Sequence, residues 1–333
     1  MTIKAYAVKE PKTELGNFKY EEKELGEYDV RLKITHCGVC HSDVHLIDND
    51  WGITKYPFVP GHEIVGEVLE LGKKVTHLKT GERVGVGWQK SACYTCQSCL
   101  EGFDTGCPNK EETCVHNHGG FAEAIVTDSR FAFKVPEKLL SENVAPLLCG
   151  GITVFTPLMK YVKPTMKVGV IGIGGLGHLA LQFADAFGCE VVAFSHSKDK
   201  EKEAKKLGAD NFVSSVDVAE MKKHRGSLDF ILSTVHAKLD WNAYMGLLKP
   251  KGRLCIVGAV PEPIEIHSFN LIVGSRGIVG SSTGSRADIV KMLDFAARHD
   301  IKAMTEVFPM SDVNKAIQKL RENKIRYRAV LKN

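Results

Sequence analysis

The sequence predicts an α/β protein: a doubly wound parallel sheet of six strands, set within a second, β-rich domain that carries metal loops. Three observations predict it. A buried strand pattern, Val168-Gly-Val-Ile171, runs directly into Gly172-Ile-Gly174-Gly175-Leu176-Gly177, and strand and helix patterns alternate beyond it. Before residue 150 the texture is instead many short strands broken by turns, with cysteines and histidines gathered in the loops. At 333 residues the chain is too long for one ordinary core, so two domains are expected.

Composition narrows the class. Hydrophobic residues make up 44% and charged residues 25%, ordinary for a soluble globular chain. The net charge of +4 is mild, and the basic stretch Lys198 to Lys206 is interleaved with acids, so it reads as a solvated helix face and no nucleic acid is expected. No apolar run is long enough to span a bilayer, and the start, Met1-Thr-Ile-Lys-Ala-Tyr6, lacks a signal-peptide core. No membrane partner is therefore expected, and a cytoplasmic location is. The ten cysteines are accordingly read as thiols or metal ligands rather than disulfides.

In chain order, Ile3 to Val8 and Val30 to Ile34 alternate as strands. The second runs into Cys37-Gly-Val-Cys40-His41-Ser42-Asp43-Val44-His45, and a turn-rich loop leads to Gly61-His62-Glu63. Cys40 and His62 are zinc-ligand types. A catalytic zinc takes three protein ligands and keeps one position open, and Cys149, in Leu147-Leu-Cys149-Gly-Gly151, is the candidate for the third. Ser42 and His45 lie within five residues of the metal thiolate, where a proton relay can start. His62-Glu63 is not the H-E-x-x-H motif of metalloproteases, since Gly66 stands where the second histidine belongs. Ile64 to Leu71, the segment after Thr80-Gly-Glu82, and Gly119 to Val126 are further strands.

Cys93-x2-Cys96-x2-Cys99-x7-Cys107 is the strongest metal signal. Four thiols within fifteen residues close a tetrahedral zinc shell with no open position, which makes the role structural. An iron–sulfur cluster competes, because Cys-x2-Cys-x2-Cys opens ferredoxin runs, but the long final gap disfavours it.

After Ile171 the glycines lead into a helical face made by Leu176, Leu179, Ala180, Phe183, Ala184 and Phe187, and then into the strand Glu190 to Phe194. Strand, glycines, helix and strand together form the context that makes G-x-G-x-x-G a dinucleotide site, with the pyrophosphate at the helix N-terminus. Phe212-Val213, Leu228 to Leu232, Arg253 to Val257 and Gly277 to Ser281 complete six strands, and Leu239 to Leu248 reads as a helix ended by Lys249-Pro-Lys-Gly252. Ser285 to His299 and Ser311 to Asn323 are amphipathic helices, and Tyr327 to Leu331 is a last strand. An NAD site usually carries an acid at the end of the second strand, on the ribose 2′-hydroxyl. Ser195 stands there, so nothing at that position repels a 2′-phosphate. Ser195 and Ser197 supply hydroxyls, and Lys200 supplies a compact charge. His196 and, at the end of a later strand, Val257 complete the expected cofactor contacts, and NADP(H) is the expected cofactor.

With these motifs in order, the chain resembles the zinc-dependent medium-chain alcohol dehydrogenases, and within them the cinnamyl-alcohol-dehydrogenase-like branch with its bacterial NADPH-dependent aldehyde reductases. The resemblance implies a GroES-like catalytic domain at 1–150 and 284–333, with a structural zinc lobe at 89–110, and a Rossmann domain at 151–283. It implies two zinc ions per chain, one held by Cys40, His62 and Cys149, with Glu63 a carboxylate able to enter or leave the shell. Asp43 then orients the His62 ring. Ser42 contacts the substrate oxygen, and His45 ends the relay through the cofactor ribose. Thr153 lies near the nicotinamide, and Arg328 faces the pyrophosphate. Trp51 and Trp88 line a pocket for aromatic or bulky apolar aldehydes. The implied activity is hydride transfer between NADP(H) and an aldehyde/alcohol pair, in a homodimer. A zinc-free quinone reductase of the same superfamily does not explain Cys40, His62 and Cys149 together, and a non-enzymatic zinc module does not explain the glycine fingerprint. Cys37, Cys189 and Cys255 are expected as core thiols, and Cys114 as an exposed thiol in a polar loop with His116 and His118.

Overall fold

Strand Asp29–Val39 organises the first of two units in this computed structural model, which describes residues 1–333. Val30, Leu32 and Ile34 point alternately inward and are buried. The strand pairs antiparallel with Glu63–Leu71 along one edge. Its other edge is shared: Ala124–Asp128 takes the first half and Arg328–Lys332 the second. Beyond Glu63–Leu71 the sheet continues through Arg83–Val86 to Ala132–Lys134. Beyond Arg328–Lys332 it ends in Thr305–Pro309, paired in parallel. The unit therefore comprises Met1–Cys149 and Gly284–Asn333, and the end of the chain is part of its central sheet. Thr305–Pro309 has no strong alternation in sequence. Its place follows from the helix Val313–Arg321, which returns the chain to a parallel neighbour. A separate ribbon, Thr2–Ala7 with Gly16–Glu21, carries Phe18 and Tyr20.

The helix expected from Ser285 runs over Arg286–His299. Ser285 Oγ accepts from the Asp288 N–H at 3.3 Å, and Asp288 Oδ2 accepts from the Ser285 N–H at 3.1 Å, a reciprocal cap. Its buried face is Ile289, Met292, Leu293 and Ala296.

The second unit, Gly150–Thr283, is a six-stranded parallel sheet. Its order is Asn211–Ser214, Glu190–Ser195, Lys167–Ile171, Leu228–Ser233, Leu248–Ile256, Gly277–Gly280. In order of first appearance this is 3-2-1-4-5-6, the doubly wound arrangement that binds dinucleotides where the order reverses. One element differs from expectation. The helix is confined to Trp241–Leu247, capped by Asp240, and Leu248 already belongs to the next strand. Leu228 faces Leu248 but Phe230 faces Arg253, so Pro250 lies in a bulge, where its missing N–H costs the sheet nothing. No single helix is long and apolar enough to cross a membrane.

Candidate active site and metal centres

The site is assembled at the end of the central strand of the first unit. Cys40 is the cap residue of helix His41–Asp48. Asp43 folds back on it: Oδ2 accepts from the Cys40 N–H at 2.9 Å, while Oδ1 accepts from the Gly61 N–H at 2.9 Å and from His62 Nδ1 at 3.1 Å. One carboxylate thus joins the two ligand-bearing segments. Gly61 has φ +103, and a Cβ there would sit 2.7 Å from Phe121, so only glycine admits the chain at this point. Because an ionised carboxylate can only accept, Asp43 holds a proton on Nδ1, and in the neutral ring that a metal requires the lone pair is then on Nε2. Nε2 is buried and has no hydrogen-bond partner.

That orphaned nitrogen faces a matching donor set. Ligand atoms of Cys40, His62, Glu63 and Cys149 all lie within 4.8 Å of one another, with Cys40 Sγ 4.0 Å from Cys149 Sγ, and all four residues are buried. The Cys149 thiol, hydrogen-bonded to Cys40, holds Cys40 well below a thiol's usual range, against the opposing effect of burial. Two sulfurs and one imidazole nitrogen fit a zinc ion and leave room for another ligand. Burial pushes the Glu63 carboxyl up to about 7, against the attraction of Arg328. Its Oε1 pairs with Arg328, and its Oε2 is buried without a partner.

Arg328 is only 4% exposed, so it is not a surface arginine: its Nη2 donates to Glu63, while its Nε has no partner. Cys114 is likewise not exposed. It is 1% accessible and lies beside His62 and Asp43.

Around the donor set, Ser42 Oγ lies 3.7 Å from Cys40 Sγ. Trp88 meets the His62 ring edge to face at 4.9 Å. Trp51 stacks on His45 at 5.4 Å and meets Trp88 at 6.3 Å. His45 Nδ1 is 2.8 Å from Asp50 Oδ2, a partner the sequence reading missed. The signal was there in principle: Asn49, at φ 57, ends the helix in a left-handed turn and swings Asp50 back over the last turn.

The second cluster brings Cys93, Cys96, Cys99 and Cys107 within 4.8 Å of one another. Cys93 Sγ accepts from the Cys96 N–H at 3.3 Å, and Cys107 Sγ accepts from the Cys93 N–H at 3.4 Å. Donation from the backbone N–H groups of Thr95 and Cys96 brings the Cys93 thiol down to about 6, toward the thiolate a metal needs. Asp104 in this lobe accepts from Arg286 Nε and Nη2, each at 3.0 Å, and from the Arg286 N–H at 3.2 Å. Tyr94 lies under Arg130 at 3.7 Å and beside Arg286 at 5.0 Å.

In the second unit the glycine turn closes on itself. Gly172 has φ +87, and a Cβ at Gly177 would lie 1.8 Å from the Gly172 carbonyl oxygen. Nothing stands within 4 Å of the Cβ position of Gly174, which leaves a bare cradle before the helix Gly177–Ala186. Gly175 and Leu176 complete the turn. Ser195 ends its strand, 5% exposed, and its Oγ accepts from the Ser197 N–H at 3.2 Å. Lys200 Nζ donates to the Ile173 carbonyl at 2.8 Å, which sets its charge beside the glycine turn. His196 is exposed, Val257 is partly exposed, and Thr153 is buried in helix Gly150–Tyr161. The cradle and the cation fit a phosphorylated dinucleotide.

Comparison with known proteins agrees with this geometry. Residues 26–137 match the family described as alcohol dehydrogenase GroES-like domain, and residues 175–298 match that described as zinc-binding dehydrogenase. The chain is 46% identical over 330 residues to a Synechocystis protein named aldehyde reductase AdhA, covering 99% of this chain and 98% of that protein. A cinnamyl alcohol dehydrogenase structure from Sorghum bicolor superposes with a TM-score of 0.96 at 40% identity, covering 100% of this chain and 98% of that one. The CAD of Helicobacter pylori, complexed with NADP(H), gives 0.90 at 32% identity, with the same coverages.

Proposed function

The chain belongs to the zinc-dependent alcohol dehydrogenases, and from that premise we propose that it reduces an aromatic or bulky apolar aldehyde to the primary alcohol with NADPH. The observation that carries the proposal is the buried Cys40–His62–Cys149 set, with an unpartnered His62 Nε2 whose tautomer Asp43 fixes. When bound, zinc supplies a Lewis acid for the carbonyl oxygen, and the reduced nicotinamide supplies the hydride. Ser42 Oγ, next to the donor set, gives its proton to the substrate oxygen. His45 replaces that proton from solvent: its side chain is 33% exposed, and Asp50 holds its Nδ1. Trp51 and Trp88 present indole faces to the substrate and keep water from it.

The cofactor preference rests on Ser195 and Lys200, and the NADP(H) complex of the H. pylori relative supports it. NADPH is expected to exceed NADH in kcat/KM. Ser195→Asp should reduce NADPH efficiency about a hundredfold through repulsion of the 2′-phosphate, and Lys200→Ala about tenfold. Equal efficiency with the two cofactors in the unmodified protein rules the assignment out.

The assembly proposed is a homodimer in the cytoplasm. Strand Gly277–Gly280 is paired on one side only, so its other edge carries unpaired N–H and C=O groups. Phe269, Ile272 and Val273, between 51% and 72% exposed, flank it. A second copy meeting this edge across a two-fold axis covers both. Ile272→Glu is expected to give a monomer in light scattering, with an unchanged circular dichroism spectrum. An Ile272→Glu dimer would place the interface elsewhere.

A further inference from the structure

The first unit contains a cavity of about 350 Å³, in the range that accepts a small molecule. None of Cys40, His62, Glu63 or Cys149 lines it, nor does Ser42, His45, Trp51 or Trp88. One wall is aromatic. The rings of Tyr20 and His118 lie 4.2 Å apart, with Phe18 behind them at 6.2 and 5.7 Å. Burial lowers the pKa of His118, so at neutral pH its ring is uncharged and offers a flat, weakly polar face. Phe58 and Ile125 extend the apolar surface.

The facing side is cationic. Lys90 is only 7% exposed, and its Nζ donates to Asn117 Oδ1 at 2.5 Å but to no carboxylate. An ammonium group has three donors, so this one is desolvated and undersupplied. Burial lowers its pKa accordingly. Lys23 and Lys55, exposed at the rim, also lack ion-pair partners. Of the acids on the same cavity, Glu21 faces the terminal ammonium at 3.6 Å, and Glu22 is held by Arg31 at 2.7 Å through Oε2 while its Oε1 is buried without a partner, so the three lysines outnumber the two acids. The cavity thus has an excess of positive charge, with one sunken cation opposite a ring-sized apolar wall.

We propose that this cavity is a binding site for a small aromatic carboxylate, with the carboxylate on Lys90 and the ring against His118 and Tyr20. A single compact ammonium suits one carboxylate, and the rim lysines draw anions toward it. Inorganic phosphate would satisfy Lys90 but leave the aromatic wall uncovered. Cys114, which lies beside His62, is part of the lining, but none of the zinc donors Cys40, His62, Glu63 and Cys149 is.

Calorimetric titration of the zinc-loaded protein with benzoate tests this, with benzamide and inorganic phosphate as comparison ligands. One benzoate per chain is expected, with both comparison ligands weaker by about tenfold or more, the scale of a charge-assisted hydrogen bond or of a buried ring. Lys90→Met and His118→Ala should each weaken benzoate to a similar degree. Should Lys90→Met fail to fold, His118→Ala carries the same test. Cys149→Ser should leave benzoate binding intact. Binding lost in Cys149→Ser but kept in Lys90→Met would put benzoate at the metal centre and overturn the proposal. The absence of binding, or benzamide or phosphate binding as tightly as benzoate, would overturn it too.

Discussion

Cys149→Ser is expected to give a folded chain that holds one zinc ion instead of two and turns over aldehyde slower by about a thousandfold or more. The serine hydroxyl is nearly the size of the thiol it replaces, so the packing around residue 149 survives. It does not ionise at working pH, however, and is a poor partner for a metal that takes thiolate. With Cys149 gone, only Cys40, His62 and the carboxylate of Glu63 remain, and Glu63 is already engaged by Arg328. The contrasting substitution is Cys96→Ser. Its cluster is held in a segment whose regular structure is two short turns, Gln97–Leu100 and Asp104–Gly106, so loss of that metal should lower the melting temperature and the yield. Elemental analysis decides both. A wild-type chain carrying one zinc, or iron, contradicts the assignment of two separate zinc sites.

Ser42→Ala is expected to lower kcat by between about a hundredfold and ten-thousandfold, the usual contribution of a positioned proton donor, with a smaller change in KM. The hydroxyl lies beside Cys40 Sγ, at 3.7 Å. His45→Ala should cost less and shift the pH–rate profile, because its side chain is already open to water. Asp50→Asn should fall between wild type and His45→Ala, since it weakens only the hold on His45 Nδ1. An unchanged rate in Ser42→Ala removes the hydroxyl from the proton path.

What the sequence made legible were features with a local signature. The glycine turn, the four spaced thiols and the reciprocal cap at Ser285 each depend on residues within fifteen positions of one another. The expected strands Val30 to Ile34, from its alternation, and Ile64 to Leu71, from its apolar, β-branched run, lie inside the observed strands. What stayed hidden depended on distant partners. Arg328 reads as a strand-end arginine until Glu63, 265 residues away, is seen beside it. Cys114 sits among polar residues, yet it is buried beside His62 because the glycines at 119 and 120 bring its loop back across the sheet. Pro250 looked like the end of a helix because a bulge in the neighbouring strand register has no sequence signature.

The shared edge of Asp29–Val39 also has a consequence for how the protein comes into being. The nucleotide unit is one continuous stretch and can fold on the ribosome as soon as residue 283 is clear. The first unit cannot, because Arg328–Lys332, which completes its central sheet, follows the whole second unit in the sequence. Every candidate zinc ligand has left the ribosome while Arg328 is still untranslated, and until it arrives Glu63 has no cation to accompany it out of water. The nascent chain therefore exposes two sets of thiols through the synthesis of the entire second unit. The pairing that accompanies Glu63 into the interior forms only when Arg328–Lys332 docks, so that strand sets when the inner site is complete.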